Sequence, residues 1–525
     1  MLRVFNSMTR RKEDFIPLRP GRVGMYVCGV TTYDLCHVGH ARVYVVFDTI
    51  LRWLKRDHQV TYVRNFTDVD DKIIRRAHEA NEDPLALAAR YADEFHTDMD
   101  ALGVRRADVE PRVSTHMPEI IAFIADLEKR GFAYRLPSAT SDGSDVYFHV
   151  NKMDAARYLQ LSGRSVEDMQ AGARVAIDER KEDPTDFALW KSAKPGEIFW
   201  ESPFGRGRPG WHIECSAMSL KHLGVTFDIH GGGRDLIFPH HTNEIAQSEC
   251  LHGGEAMARY WMHNGFVSVE LQDGVDAPAD LIEEIEDDKG KKIRVVKQSK
   301  SLGNFFTIRE VCKQFTPEAL RLLLLSTHYR GPIAFSPRLL EEAESRLRYV
   351  YETKRKVMRY LDQAASEDGP SLAHAFKGEA PFEPMRAFAA AMEDDFNTAE
   401  AIAPLWELLT VQNLLVDGKE KERTGQKLKP AQRACLLREG KNLIEQMCAV
   451  LGVGENDASA FLLTQRAQRM KAKGILLDDV ELLLADRAAA KSQKDYPRAD
   501  AARDALLRMG VEVRDTPAGV DWSVG

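Results

Sequence analysis

The sequence predicts an α/β protein: a parallel sheet in the first half and helices through most of the second. Three observations carry this. Strand-like runs at Val23–Val27 and Gln59–Arg64 flank a helical run at Ala41–Lys55, which makes a βαβ unit and favours a parallel pair with a right-handed crossover. Between residues 72 and 135, IIRRAHEANEDPLALAARYADEF and MPEIIAFIADLEKRGFAY repeat apolar residues at three-four spacing, the period of an amphipathic helix. From Glu310 onward the same period dominates.

The remaining segments follow in order. Residues 136–195 are more polar, carry the turn signals DGSD and SGRS and hold one short strand, VYFHV; they read as an insertion. Strand signals return at VTFDIH and GFVSVEL. Residues 272–292 are strongly acidic and end in Lys-Gly-Lys-Lys, the pattern of an exposed loop. Asp394-Asp395-Phe396-Asn397-Thr398 has the character of a helix N-terminal cap before AEAIAPLWELLTVQNLLV. Lys419–Arg433 is polar and basic with Gly and Pro, and reads as a linker. Residues 460–525 form a small terminal unit of helices followed by the strand-like VEVRDT.

A chain of 525 residues can bury several cores, three to four by the length prior. No apolar run approaches the roughly 18 residues of a membrane span, and MLRVFNSMTRRKEDF lacks the apolar core of a secretory signal. Seven scattered cysteines, an odd number, argue against a disulfide framework and for a reducing, cytoplasmic compartment. With a net charge of −8, a nucleic-acid partner has to be met by local basic patches.

Three motifs carry chemistry. The first is His37-Val38-Gly39-His40, after a strand and at a helix start. Unpaired N–H groups and the positive end of the helix dipole suit an anion there; the histidines can donate to phosphate, and Gly39 lets a nucleotide approach the backbone. A plain helix cap explains the same residues equally well. The second is Lys297-Gln298-Ser299-Lys300-Ser301, a cationic loop after strand-like IRVV, fit to neutralise a pyrophosphate leaving group; a solvated lysine loop is the plainer account. The third is a density of soft and borderline donors: Cys28, GWHIECSAMSL at 210–220 and DIHGGGRDLIFPHHTNEIAQSEC at 228–250. His240 and Glu244 stand at i and i+4, and thiolates from Cys28 and Cys215 favour zinc. Spacing alone does not choose among His212, His240, His241, Cys215 and Cys250.

HVGH and KQSKS, about 260 residues apart, resemble the HIGH and KMSKS signatures of class I aminoacyl-tRNA synthetases, with Gln298 in place of Met. The longer patterns MYVCGxTxYDxCHxGHARxYVxFD, NxTDxDDKII, GWHIECSAM, HGGGxDLxFPHHxNEIAQSE and KxSKSLGNF are similar, in sequence order, to the cysteinyl-tRNA synthetase family. The resemblance runs from Met1 to about Glu400 and more weakly beyond. It implies a Rossmann-like parallel-sheet catalytic domain with an inserted connective domain, then a helical bundle and a small mixed α/β anticodon-binding domain. The implied boundaries are 1–115 with 226–270 for the catalytic halves and 116–225 for the insertion with its zinc-ligand segment. They continue as 271–310 for the acidic and KMSKS-like loops, 311–418 for the bundle, 419–460 for a linker and helix, and 461–525 for anticodon recognition.

The resemblance also implies roles. Cys28, Cys215, His240 and Glu244 would be the zinc ligands; Trp211, His230, Gly29, Thr31 and Thr67 would surround L-cysteine. ATP with Mg²⁺ would lie over His37, Gly39, His40 and Gly231–Gly233, with Asp235 near the ribose or amino group and Lys297 and Lys300 on the phosphates. The family usually has Glu where Thr242 stands, which touches the surroundings of the ligands rather than the ligands themselves. A zinc-bound thiolate separates cysteine from serine, so no editing step is expected. The expected acceptor is tRNA(Cys), with Arg346, Arg348, Lys354, Arg355, Lys356 and Arg359 as candidate contacts and a monomer as the working state. Cys36 is left to packing. The competing readings are a cysteine ligase of mycothiol synthesis, which lacks most of the C-terminal extension, and a non-enzymatic zinc and RNA-binding protein, which leaves HVGH and KQSKS unexplained.

Overall fold

Strands β1 (Arg3–Asn6) and β2 (Arg11–Asp14) form an antiparallel hairpin ahead of β3 (Arg22–Val27). From β3 the chain crosses through α1 (Val38–Leu54) to β4 (Gln59–Arg64), which pairs parallel with β3. The helix starts three residues before the apolar run suggests, because the His37 side chain caps it by accepting from the Gly39 N–H. In this computed structural model the described residues are 1–138, 143–164, 180–270, 282–286, 292–297, 306–364, 370–375, 381–425, 427–516 and 519–524. They divide into two compact units: residues 1–268 with 327–333 and 391–397, and residues 269–326 with 334–390 and 398–525.

In the first unit, α2 (Asp71–Ala80), α3 (Pro84–Ala101) and α4 (Met117–Lys129) follow β4. The polar insertion then folds as an antiparallel sheet rather than as one strand among turns. Its strands are β5 (Ala133–Pro137), β6 (Ser144–Phe148), β7 (Phe187–Ser192) and β8 (Gly207–Pro209). Its inward residues, among them Val146, Phe148, Leu189 and Trp190, are buried, so a few apolar positions in each short strand sufficed. Gly210 links β8 to the helix Trp211–Leu223; a Cβ there would lie 1.9 Å from the Ala188 carbonyl oxygen, so only glycine lets that helix begin against β7.

Strands β9 (Phe227–Gly233) and β10 (Ala258–Asn264) complete the parallel sheet in the order β10-β9-β3-β4. Chain direction across the sheet reverses between β3 and β9, and such a switch point is where open α/β sheets bind ligands. Between β9 and β10 lie a turn, Ile237–His241, and the helix Thr242–Leu251.

The second unit is mainly helical. Pro337–Gln363 runs 27 residues beside Thr398–Asp417, Pro430–Leu451 and Ala458–Lys473. Part of the expected linker is helical: Lys421–Thr424 forms a short turn, and Pro430, suited to the first helical position, starts the next helix ahead of Arg433. Leu477–Ser492 and Tyr496–Arg508 pack together and precede the hairpin Val511–Thr516 and Gly519–Val524. Among the described residues, no helix is long and apolar enough to cross a membrane.

The helix Thr398–Asp417 begins where the Asp394–Thr398 signal places it, while the Asp395 carboxylate is buried in the first unit, accepting from the Phe5 N–H, the Tyr329 hydroxyl and Arg330 Nε. The six basic candidates do share the helix Pro337–Gln363, but four of them bond within their own unit. Arg355 pairs with Asp521, Lys354 Nζ donates to the Gly454 carbonyl, Arg348 pairs with Glu352 at 3.9 Å, and Lys356 Nζ donates to Asn413 Oδ1 at 3.3 Å. Arg346, Lys356 and Arg359 are the exposed three.

Candidate active site

The C-terminal ends of β3, β4 and β9 bring one group of side chains together. Cys28 follows β3, and its N–H donates to the Gly231 carbonyl of β9 at 3.1 Å. Gly29 follows; a Cβ there would sit 1.5 Å from the backbone oxygen of Asn65, so the two chains approach too closely for any other residue. Thr31 and Thr67 form a parallel bridge across the same gap.

Cys28, Cys215, His240 and Glu244 are all buried and offer donor atoms within 4.8 Å of one another, and so do Cys28, His230, His241 and Glu244. The two sulfurs lie 3.8 Å apart. Thiolates bound to one ion at about 2.3 Å and a tetrahedral angle are separated by about that distance, so the donor set fits a metal ion. Glu244 Oε1 is 3.7 Å from Cys28 Sγ and 2.9 Å from His240 Nε2, whereas Oε2 is held by His230 Nε2 at 2.7 Å. His241 Nε2 lies 3.3 Å from Cys28 Sγ, and its Nδ1 meets His263 Nε2 at 2.8 Å.

The charges are arranged to match. Burial pushes the Glu244 carboxyl up, but His230 and His240 outweigh it and hold the group well below the usual carboxylate range. Burial lowers His240, and Glu244 more than reverses this, lifting the imidazole to about 10. Burial raises both thiols. For Cys215 the hydrogen bond from Cys28 and the interaction with His240 prevail and bring it to about 6, whereas Cys28 stays well above its ordinary value. These neighbours thus favour a thiolate at Cys215 and a carboxylate at Glu244, the forms in which such groups ligate a metal.

Trp211 begins its helix, is 38% exposed, and stacks on His240 with ring centroids 4.3 Å apart. His212 Nδ1 lies 3.2 Å from His240 Nδ1. Cys250 lies in neither quartet, and burial pushes its thiol up to about 12.

At the start of α1, His37 Nδ1 accepts from the Gly39 N–H at 3.0 Å, and His40 Nδ1 accepts from the His37 N–H at 3.3 Å. The rings stack at 3.8 Å. With each Nδ1 lone pair occupied, a neutral imidazole carries its proton on Nε2, where it can donate to an anion. Gly39 makes room for the His37 ring: a Cβ would meet His37 Cε1 at 2.7 Å. The glycines of β9 also answer to packing, since a Cβ on Gly231 would meet Phe47 of α1 at 2.3 Å and one on Gly232 would meet Leu236 at 2.9 Å. Asp235, in the following turn, is exposed. Lys297 ends the strand Lys292–Lys297; its side chain, Gln298 and Lys300 lie outside the described residues, as does most of the acidic stretch 272–292.

Motif reading passed over Asn65, Glu214 and His263, and left His241 undecided. Asn65 and Glu214 lay inside quoted patterns, but only contact shows that Asn65 bonds Gly29 and that Thr67 Oγ1 donates to Glu214 Oε2 at 2.8 Å.

A parallel sheet with a ligand site at its switch point, a histidine-capped helix and a buried metal-binding cluster define a class I tRNA synthetase core. Residues 14–275 and 290–345 match the catalytic domain of tRNA synthetases class I (C); residues 387–455 match the DALR domain and 476–522 the anticodon-binding domain of cysteinyl-tRNA ligase. The chain is 49% identical to the Cysteine--tRNA ligase of Anaeromyxobacter dehalogenans, covering 100% of this chain and 99% of that one. It is 47% identical to that of Oleidesulfovibrio alaskensis, covering 100% of each. Among solved structures, Mycobacterium tuberculosis methionyl-tRNA synthetase in complex with methionyl-adenylate shares the fold at a TM-score of 0.56 and 15% identity, covering 86% of this chain and 96% of that one. The chain belongs to the cysteine–tRNA ligase family. The mycothiol alternative finds no support, because the DALR and anticodon-binding matches occupy the C-terminal extension on which that reading was to fail.

Proposed function

We propose that this chain activates L-cysteine with ATP and transfers it to the 3′ end of tRNA(Cys), working as a cytoplasmic monomer. The observation that carries the choice of amino acid is the pair of buried sulfurs 3.8 Å apart beside Glu244 and His240. Of the two quartets, Cys28, Cys215, His240 and Glu244 is the ligand set. Glu244 turns Oε1 toward Cys28 and His240 while His230 holds Oε2, the arrangement of a ligand steadied by an outer partner. A zinc ion bound there supplies a soft centre that takes a thiolate and leaves a serine hydroxyl unbound.

The chain's own groups do the rest. Trp211 stacks on His240 and keeps its ring in place, and His230 Nδ1, buried and without a partner among the described residues, is available to the amino acid. His37 and His40 direct Nε2–H donors at the phosphates of ATP, aided by the α1 N-terminus. The cysteine carboxylate displaces pyrophosphate in line at the α-phosphorus, so no side chain needs to act as nucleophile. Lys297, Lys300 and Mg²⁺ carry the charge on the phosphates. Arg346, Lys356 and Arg359 are the basic positions left exposed for tRNA.

The test is amino-acid-dependent exchange of pyrophosphate into ATP, with metal analysis of the same sample. Exchange with cysteine, at least about 10³-fold less with serine, and one zinc per chain are expected. Comparable exchange with serine would overturn the role given to the sulfur-rich cluster.

A further inference from the structure

We propose that Asn65 is the positioning residue that sets the hydrogen-bond polarity of one wall of the amino-acid pocket, making that wall the receptor for the substrate's α-ammonium group. The proposal rests on the functional reading above and says which end of cysteine meets this wall.

Asn65 stands just beyond β4 and is buried. Its side chain touches three groups of the candidate site. The Gly29 N–H donates to Oδ1 at 2.8 Å, Cys215 Sγ lies 3.8 Å from the same oxygen, and Nδ2 donates to Thr67 Oγ1 at 3.4 Å. The Gly29 N–H fixes the orientation of the amide, since only the carbonyl oxygen can accept from it. The NH₂ group must then face Thr67.

That orientation propagates. Thr67 Oγ1 has one proton and two lone pairs. The proton goes to Glu214 Oε2 at 2.8 Å, and one lone pair takes the Asn65 N–H. What the hydroxyl has left is a single lone pair. The Gly29 N–H, which could otherwise have received a carboxylate, is consumed by Asn65. Glu214 is buried behind Thr67 and forms no ion pair among the described residues. With the Gly29 N–H and the Thr67 hydroxyl proton both taken, one acceptor lone pair spare and a buried carboxyl behind, this wall favours an ammonium group over a carboxylate. By this argument the carboxylate of the amino acid points away from Thr67, the orientation it needs to reach ATP.

The test uses two thiols that each keep one end of cysteine. Cysteamine keeps the ammonium group and 3-mercaptopropionate keeps the carboxylate. Their binding to the zinc-loaded full chain is measured by calorimetry, and independently as inhibition of cysteine-dependent pyrophosphate exchange. Asn65→Ala is expected to weaken cysteamine by about tenfold and 3-mercaptopropionate by less than about twofold, the loss of one buried polar contact. Thr67→Val is expected to do the same, and the double variant to lose no more than the larger single loss, because the two side chains act through one hydroxyl. Zinc content should not change, since Asn65 is not a ligand. Equal weakening of both thiols, or losses that multiply in the double variant, would overturn the role of Asn65 while leaving the enzyme's function standing. If the wild type neither binds these thiols nor exchanges pyrophosphate with cysteine, the functional reading falls and this proposal with it.

Discussion

At one end of the segment that follows β3, Cys28 lies buried among another thiol, a carboxylate and imidazoles; at the other, His37 and His40 sit half-exposed at the start of a helix. The first end is built from charges that fix one another. Glu244 is held ionised by His230 and His240, whose Nε2 atoms each reach one of its carboxylate oxygens. At the second end the backbone sets the rings: His37 Nδ1 accepts from the Gly39 N–H and His40 Nδ1 from the His37 N–H, at the positive end of the helix dipole. The difference teaches that selecting a side chain and grasping a phosphate call for different physics. On the proposed reading, selection would use a buried set of matched donors, whereas phosphate binding would use a half-exposed helix start.

Breaking the closed end should have the largest effect. Cys215→Ser is expected to take bound zinc from one per chain to near zero, as read by metal analysis, and to cut cysteine-dependent exchange by at least about 10³-fold. Retained zinc with normal exchange would show that the other quartet is the ligand set. Next comes Lys300→Ala, expected to slow exchange by about 10²- to 10³-fold with zinc retained; a near-normal rate would sink that assignment. His40→Asn sharpens the contrast, because it should lower kcat by about 10²-fold while zinc content and cysteamine affinity stay at wild-type values. Loss of zinc in that variant would mean the two ends are not separable.

The smallest effect lies outside both ends. Asp71, the first residue of α2, pairs with Lys191 of β7 and Arg208 of β8. Burial pushes its carboxyl up, but Lys191 and then Arg208 prevail and lower it to about 2. A depressed folded-state value stabilises the fold above the unfolded value near 3.9, and the contribution is lost as pH falls toward about 2. Asp71→Asn should therefore lower stability near neutrality, read as a fall in Tm, by no more than about 1 kcal/mol at so exposed a pair. The gap to wild type should close as pH drops. A gap that persists at pH about 2 would assign the effect to packing rather than charge.

Much of this was legible in the residues. The period-two and three-four patterns located β3, β4 and α1, and β4 falls where its run does. The insertion escaped as a sheet because its strands are short, three to six residues, and are separated by polar turn-rich segments. In the last hairpin VEVRDT was visible, but its partner Gly519–Val524 was not, since GVDWSV mixes polar and apolar residues. The metal cluster could be narrowed by chemistry but not by spacing. His240 and His241 are neighbours in sequence and fall in different quartets, and only the turn Ile237–His241 decides which faces Cys215. The side-chain placement of Lys297 and the position of Lys300 fall outside the described residues. Asn65 was invisible for another reason: an asparagine after a strand reads as turn chemistry, and its meaning lies in three contacts from three parts of the chain.

The His37 ring folded over Gly39 has a consequence for affinity. The imidazoles that would meet ATP are already immobilised, stacked and in a single tautomer, as part of the cap that begins α1. The entropy of ordering them is lost once, when the protein folds, rather than each time a nucleotide arrives. A substitution that frees either ring would then act like a longer tether on a hand that still has all its fingers: the contacts remain possible, but every turnover has to find them again.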